Sequence, residues 1–284
     1  MRNLLLYALL LTLLSPVSAG PLGVLDPQEL MRAEDAEWKQ GRDVIFYAED
    51  LETGERYAYQ GKRAEERHTP FSSFKIPNLL IALETGVAAD LDHPIAYDPA
   101  KRPAESYWPE DWKQDLTLGK AFQVSAAWYY QETALRVGTS AYRGYLGHFG
   151  YGQSDIPEGS DSFWLDGALK VSPREQATFL RRLLIGQLEV SPHNVEQLSK
   201  VSEVKRFGGD ILHGKTGAGP LTSGDFDGPF EGWFVGWLER QGKKPVVFAV
   251  WAKAPSFESL KAFRQAPAER LLQRIGVIPA EASE

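Results

Sequence analysis

Residues 71–78 read Phe71-Ser72-Ser73-Phe74-Lys75-Ile76-Pro77-Asn78. Ser72 and Lys75 are three residues apart, a spacing that places both side chains on one face of a helical turn. A serine hydroxyl is a weak nucleophile without an adjacent base, and a lysine amine can be that base when apolar surroundings lower its pKa. Ser73 has Ile76 at the same spacing, so Ser72 is the better nucleophile. Ser-x-x-Lys is frequent by chance, and a capping serine beside a surface lysine is the alternative interpretation.

Two further motifs follow the Ser-x-x-Lys pair along the chain. Ser125-Ala126-Ala127 lies in a stretch predicted to be helical, where Ser125 can relay a proton to a leaving nitrogen. Lys215-Thr216-Gly217 ends a predicted strand. Its Lys and Thr can hold a carboxylate, and its Gly lets a substrate approach the backbone closely. Three motifs in this order are typical of penicillin-recognising serine enzymes, in which they converge on one cleft.

The hydrophobic periodicity outside the motifs predicts an α+β fold. The predicted strands are Val44–Glu49, Arg56–Tyr59, Ile211–Lys215, Gly232–Glu239 and Val246–Lys253. The predicted helices run from Asp26 towards Trp38, over Pro77–Leu83, from the capping box at Ser172 to Leu184, and over Ser259–Ile275 with an interruption at Pro267. Strands joined by short turns pair antiparallel, so we expect an antiparallel sheet flanked by the terminal helices. A helical subdomain at approximately residues 77–205 lies beside it, with the site in the groove between.

The N-terminus has the pattern of a secretory signal. Arg2 precedes an apolar run over Leu4–Leu14, and Val17-Ser18-Ala19 supplies small residues for cleavage. The run is short for a membrane span, although an uncleaved anchor is the alternative. We therefore expect a signal peptide at residues 1–19, a single catalytic domain at 20–284 and no stable membrane anchor after cleavage. The protein is expected to be secreted, into the periplasm if the source is Gram-negative.

Composition and charge exclude several other functions. The formal net charge is -7 and no basic run occurs, which disfavours nucleic acid as a partner. The chain has no Cys, so it has no disulfide, no thiolate chemistry and no lipoprotein anchor. No zinc-type Cys/His spacing appears, and no metal is expected.

Longer segments around the motifs carry a family resemblance. They are residues 71–78, Ser125-Ala126-Ala127-Trp128-Tyr129-Tyr130-Gln131, Phe163-Trp164-Leu165-Asp166-Gly167, Gly232-Trp233-Phe234-Val235-Gly236-Trp237 and Phe263-Arg264. These segments resemble class D (oxacillinase-type) serine β-lactamases, from about the first helix to near the C-terminus. The resemblance implies a serine β-lactamase and penicillin-binding-protein-like fold, and hydrolysis of β-lactam antibiotics.

The resemblance also implies roles for individual residues. Ser72 would be acylated, and Lys75 would carry carbon dioxide as a carbamate that acts as general base. Only a neutral amine adds carbon dioxide, and an apolar pocket favours that form. Trp164 would donate its indole N–H to the carbamate, and the backbone N–H groups of Ser72 and Ala218 would form the oxyanion hole. The substrate-binding residues would be Lys215, Thr216, Gly217 and Arg264. No other cofactor is implied, and a homodimer is left open.

Two positions depart from the family pattern. The middle motif ends in Ala127 where the family has Val, and Tyr151-Gly152-Gln153 stands where the family has Tyr-Gly-Asn. Both differences bear on turnover rate more than on reaction type.

A penicillin-binding peptidase or a β-lactam sensor would share Ser72 and Lys75 but release its acyl group slowly. The segment around Trp164 favours the lactamase.

Overall fold

The computed structural model describes residues 26–153 and 155–279, so the predicted signal at 1–19 lies outside the described residues. Within them, the strands are β1 Gln28–Glu29, β2 Asp43–Asp50, β3 Arg56–Tyr59, β4 Pro94–Ile95, β5 Leu116–Thr117, β6 Glu203–Phe207, β7 Asp210–Pro220, β8 Phe230–Arg240 and β9 Lys243–Ala254. The helices are α1 Asp35–Lys39, α2 Lys75–Glu84, α3 Leu118–Val124, α4 Ala127–Val137, α5 Thr139–Phe149, α6 Pro173–Leu184, α7 Pro192–Ser202, α8 Phe257–Phe263 and α9 Ala266–Arg274.

The main sheet has seven strands in the order β1-β3-β2-β9-β8-β7-β6. Every neighbouring pair in it is antiparallel except β1 and β3, which run parallel. The strands β4 and β5 form a small separate pair. Between β3 and β6 the chain is otherwise helical and looped, which places the helices beside the sheet as the α+β prediction expected.

The sheet is covered on both faces because its central strands bury alternate side chains on opposite sides. Phe46 of β2 faces a core with the terminal helices α8 and α9. Ile45, its neighbour, faces a second core with α2 and α6. A side chain on α2 is therefore held between the sheet and the helices, which is where Lys75 lies.

Several predicted elements are confirmed. The β2–β3 hairpin turns at Gly54, whose φ is +76°. The capping box that begins α6 is present, with the Ser172 hydroxyl accepting the Glu175 N–H at 3.1 Å and the Glu175 carboxylate accepting the Ser172 N–H at 2.8 Å. The C-terminal helical pattern divides into α8 and α9, with Pro267 in the first turn of α9.

The helix predicted from Asp26 is wrong over its first part. Gln28 and Glu29 pair with β3 instead, and the Leu30 N–H donates to the Ala58 carbonyl at 2.6 Å. The open sheet edge offers these residues backbone hydrogen bonds, so the helix is confined to Asp35–Lys39. Helices α3, α4, α5 and α7 were not individually predicted. In α4, Trp128, Tyr129 and Tyr130 are all buried, and a helix buried on several sides shows no simple amphipathic period.

Candidate active site

Ser72 lies in a tight 3₁₀ turn, Phe71–Phe74, that leads directly into α2. Its Oγ accepts a hydrogen bond from Lys75 Nζ at 2.9 Å, the contact predicted from their spacing. The preceding residue, Phe71, has a φ of +48°, a left-handed conformation that is unusual for a bulky side chain. The turn is thus strained at the residue next to the nucleophile.

Lys75 is completely buried. Burial lowers the pKa of its amine well below the ordinary value, and the positive charge of Lys215 lowers it further. Its Nζ lies 5.2 Å from the centre of the Tyr130 ring. A neutral amine within hydrogen-bond distance of a serine hydroxyl can accept the proton of that hydroxyl.

Ser125 lies between α3 and α4, not inside a helix as predicted. Its φ is +65°, and the Ala126 N–H closes the end of α3 by donating to the Ala121 carbonyl at 3.0 Å. Glycine is usual at such a helix end, so a serine there points to a functional demand. Lys215 Nζ donates to Ser125 Oγ at 3.1 Å, which brings the second and third motifs together.

Lys215, Thr216 and Gly217 lie within β7, which continues to Pro220, so the prediction that the strand ends there is wrong. Strand β6 pairs with β7 only from Asp210 to His213. The following segment of β7 is a sheet edge that lies against the Ser72 turn. A Cβ added to Gly217 would lie 2.7 Å from the Pro70 carbonyl oxygen and 3.2 Å from the Ser72 nitrogen.

A buried lysine and a half-buried arginine lie near this edge. Burial and the charge of Arg264 lower the pKa of Lys215 to about 7. Burial also lowers the pKa of Arg264, the residue that follows α8. Neither cation forms an ion pair with a carboxylate of residues 26–153 or 155–279. A cavity of about 490 Å³ borders Lys215, Thr216 and Gln265, so open space adjoins Lys215.

Trp164 is completely buried and stacks on Phe74, with 5.4 Å between the ring centres. Its backbone carbonyl accepts the Phe71 N–H at 2.9 Å. Its indole Nε1 has no hydrogen-bond partner among the described residues. Since buried indole N–H groups normally have an acceptor, the packing leaves this donor available to a group that the protein chain does not supply.

The two departures from the family pattern lie in different surroundings. Ala127 is half-buried at the start of α4, and its effect on the Lys75 pocket stays a prediction. Gln153 donates from its side-chain amide to the Ala168 carbonyl at 2.6 Å. The longer side chain therefore fits at this position and hydrogen-bonds to the loop that follows Trp164.

Gln176 was not predicted to belong to the site, and Tyr151 was noted only as part of the Tyr151-Gly152-Gln153 segment. The Tyr151 hydroxyl bonds to Gln176, and Gln176 bonds to Ser73, next to the nucleophile. The available signal was positional: Gln176 shares the buried stripe of α6 with Phe179, Leu180 and Leu183. A polar residue on an apolar stripe requires a buried partner.

Comparison with known proteins agrees with this geometry. The penicillin binding protein transpeptidase domain family matches residues 44–275. Beta-lactamase OXA-20 of Pseudomonas aeruginosa is 33% identical over 221 residues, which cover 78% of this chain and 77% of that protein. The crystal structure of the class D β-lactamase FUS-1 (OXA-85) from Fusobacterium nucleatum subsp. polymorphum superposes with a TM-score of 0.76 at 30% identity, covering 86% of this chain and 97% of that one.

The chain belongs to the class D serine β-lactamase family. The predicted family and its α+β fold are thereby confirmed, and so is the enzyme class, a serine hydrolase. The "Probable beta-lactamase YbxI" of Bacillus subtilis is 36% identical over 183 residues, 64% of this chain. That alignment spans 66% of the relative's own length, just under two thirds.

A regulatory protein is also similar to this chain. Regulatory protein BlaR1 of Bacillus licheniformis is 31% identical over 174 residues, which cover 60% of this chain and 28% of BlaR1. The C-terminal domain of the BlaR penicillin-receptor superposes with a TM-score of 0.78 at 25% identity, over 89% of this chain and 97% of that domain. The same fold therefore occurs both in β-lactamases and in a penicillin receptor.

Proposed function

We propose that this protein hydrolyses β-lactam antibiotics through an acyl-enzyme formed on Ser72. The observation that carries the proposal is the 2.9 Å contact between Ser72 Oγ and the Nζ of the buried Lys75. Because its pKa is lowered well below the ordinary value, Lys75 is available as a neutral base. We expect it to withdraw the Ser72 proton while Oγ attacks the lactam carbonyl carbon.

The first chemical step breaks the lactam C–N bond. As Ser72 Oγ bonds to the carbonyl carbon, the ring nitrogen leaves with the electron pair and takes up a proton. Ser125 would deliver that proton, since its hydroxyl receives a hydrogen bond from Lys215 and can be reprotonated from it. Water then cleaves the ester on Ser72 and releases the ring-opened acid.

The oxyanion of this reaction would be held by the backbone N–H groups of Ser72 and Ala218. The close approach of Gly217 to the Ser72 turn supports this assignment, because it brings the edge of β7 alongside the nucleophile. Removing one such donor costs on the order of 3 kcal/mol of transition-state stabilisation.

The substrate carboxylate would bind to Lys215, Thr216 and Arg264. Buried Lys215 and half-buried Arg264 have no carboxylate partner among the described residues, which favours an anionic ligand, since burying unpaired charge is costly. A guanidinium can bind a carboxylate bidentately, which would orient the lactam ring towards Ser72.

The residues around Lys75 fit a carbamate on its amine. The buried indole N–H of Trp164 has no partner among the described residues, so it is available to donate to a carbamate oxygen. When formed, the carbamate would replace the free amine as general base, both for the attack of Ser72 and for the water that releases the acyl group. Lys75 would provide the neutral nitrogen, and Trp164 would hold the carbamate oxygen.

A β-lactam sensor is the second candidate function, because the BlaR domain has the same fold. A penicillin-binding peptidase is the third, and both would form the same Ser72 adduct. Neither would regenerate free Ser72 rapidly. Among residues 26–153 and 155–279, no helix is both long and apolar enough to cross a membrane.

Hydrolysis of nitrocefin by the purified protein, with and without added bicarbonate, tests the proposal. We expect multiple turnovers that accelerate with bicarbonate, and a loss of roughly 10²–10⁴ in rate in Lys75→Ala. Ser72→Ala should form no acyl adduct by mass spectrometry. Full activity in either variant would overturn the mechanism, and a single burst that leaves a lasting adduct would favour the sensor or the peptidase.

The carbamate has a test that does not depend on turnover. Protein equilibrated with ¹³C-bicarbonate should give a carbamate carbon signal that is missing in Lys75→Ala and weakened in Trp164→Phe. A signal that survives in Lys75→Ala would place the modification elsewhere.

We further propose that residues 20–284 form one catalytic domain that is exported, to the periplasm in a Gram-negative source. The basis is the signal pattern at residues 1–19. N-terminal sequencing of the exported protein should find Gly20 first, and a mature protein that retains Met1 would contradict this.

A further inference from the structure

A chain of buried hydrogen bonds runs from Tyr151 to the turn that carries Ser72. The Tyr151 hydroxyl lies 2.7 Å from Gln176 Oε1, and Gln176 Nε2 lies 3.1 Å from Ser73 Oγ. Ser73 Oγ lies 2.7 Å from the Pro70 carbonyl oxygen. The three side chains are at most 1% exposed, so no water competes for these bonds.

The direction of every bond in this chain follows from its last acceptor. The Pro70 carbonyl can only accept, so the Ser73 hydroxyl must donate to it. Ser73 Oγ then accepts from the Gln176 amide nitrogen, and the Gln176 amide oxygen accepts from the Tyr151 hydroxyl. The Ser73 proton is therefore committed to Pro70. This arrangement also explains why Ser73 does not compete with Ser72 for the Lys75 amine.

The Pro70 carbonyl is the point where this chain meets the reaction site. It also accepts the Ser73 N–H at 3.1 Å, across the strained Phe71. A Cβ at Gly217 would lie 2.7 Å from the same oxygen, so the Pro70 carbonyl sets how closely β7 approaches the Ser72 turn. Strained backbone persists only where its surroundings over-determine it, and the Ser73 hydroxyl adds a second restraint across the turn.

We propose that Gln176, oriented by Tyr151, is a positioning residue that holds the Ser72 turn in register with β7 for acylation. The inference rests on the proposed acyl-enzyme function and adds to it a role for residues that do not touch the substrate. Gln176 acts through Ser73 and the Pro70 carbonyl. Displacements of about 1 Å in a reacting group can cost as much as 10²-fold in rate, so a loss of part of this restraint is measurable.

The decisive experiment compares two Tyr→Phe variants. Tyr151 and Tyr142 are both fully buried, and each hydroxyl makes one hydrogen bond to a buried amide, Tyr142 to Asn78 at 2.6 Å. Only the Tyr151 bond continues to the Ser72 turn. Single-turnover acylation by a fluorescent penicillin should slow about ten-fold in Tyr151→Phe and less than about two-fold in Tyr142→Phe. Equal rates in the two variants would overturn the positioning role.

Further variants test whether Gln176 acts through Ser73. Ser73→Ala and Gln176→Leu should each slow acylation, and the double variant should be no slower than the worse single variant. Ser73→Thr keeps the hydroxyl and should restore most of the rate. Additive losses in the double variant would contradict a shared route. If Gln176→Leu does not fold, the comparison of Tyr151→Phe with Tyr142→Phe still tests the positioning role.

The acylation readout separates this inference from the proposed function. A wild-type protein that acylates at Ser72 but does not turn over would refute hydrolysis and leave the acylation comparison intact. Wild-type turnover together with equal acylation of the two Tyr→Phe variants would refute only the positioning role.

Discussion

At the scale of single residues, the site depends on side chains that are missing as well as on those that are present. Gly217 has no Cβ, and for that reason the edge of β7 can lie against the Ser72 turn. Lys75 and Lys215 are buried amines whose pKa values burial lowers. The glycine and the buried amines both cost stability, and both contribute to function only when a substrate is bound.

We predict that Gly217→Ala damages catalysis through distance. The new methyl group would meet the Pro70 carbonyl at 2.7 Å and the Ser73 nitrogen at 2.9 Å, so β7 or the turn must move. We expect kcat/KM for nitrocefin to fall by about 10²-fold. Gly144→Ala is the control, since its Cβ meets nothing within 4 Å. A Gly217→Ala variant as active as the control would show that the close approach is dispensable.

We predict an alkaline limb in the pH profile that reports on Lys215. Its pKa of about 7 means that the free enzyme loses the Lys215 charge as pH rises through neutrality. The neutral amine would hold the substrate carboxylate less well, so kcat/KM should fall and KM should rise from pH 6 to 9. In Lys215→Arg the guanidinium stays charged, and this limb should disappear from the range. An identical limb in both proteins would assign it to another group.

At the scale of elements, the sequence predicts what regular patterns encode and misses what tertiary contacts impose. The β2–β3 hairpin and the capping box of α6 were predicted because local residues determine them. Strand β7 extends past its predicted end at Lys215 because pairing with β8 overrides the low strand propensity of its glycines. The Lys215 contact of Ser125 and the Ser73 contact of Gln176 join residues far apart along the chain, so no local pattern predicts them.

Helix α6, which carries Gln176, offers a matched pair of caps. We predict that Ser172→Ala lowers the free energy of unfolding by about 0.5–2 kcal/mol, because the Ser172 hydroxyl accepts the Glu175 N–H. Ser191 precedes Pro192 at the start of α7 in the same way but makes no side-chain capping bond. Ser191→Ala should therefore change stability by less than about 0.5 kcal/mol in urea denaturation. Similar losses in both variants would show that the Ser172 capping bond is not the cause.

At the scale of the whole molecule, one face of the sheet is closed by elements from both ends of the described chain. Helices α8 and α9 cover this face, and α1 lies against them through Trp38, which stacks on Phe263. The opposite face carries α2 with Lys75. The sheet therefore separates these helices from the face on which the site is built.

The ion pair between Asp35 and Arg274 joins α1 to the end of α9. Asp35 accepts from Arg274 at 2.7 and 3.0 Å and from the Trp38 indole at 2.7 Å, and its side chain is 1% exposed. These bonds, the Arg274 bond first, hold the pKa of Asp35 well below its ordinary value despite the opposing effect of burial. Breaking a buried pair by removing one partner typically costs about 3–5 kcal/mol. We predict a loss of this size in Asp35→Asn at pH 7.

The pH dependence of that loss has a definite sign. A carboxyl with a lowered folded-state pKa stabilises the protein fully above its unfolded pKa of about 4, and this stabilisation is lost as pH falls below it. Unfolding measured by urea at pH 7 and pH 3 should therefore show a smaller difference between wild type and Asp35→Asn at pH 3. Glu203→Gln, which breaks an exposed pair with Arg206, should leave the free energy of unfolding nearly unchanged at either pH. A difference for Asp35→Asn that grows towards acid would mean that Asp35 is not the anion that joins α1 to α9.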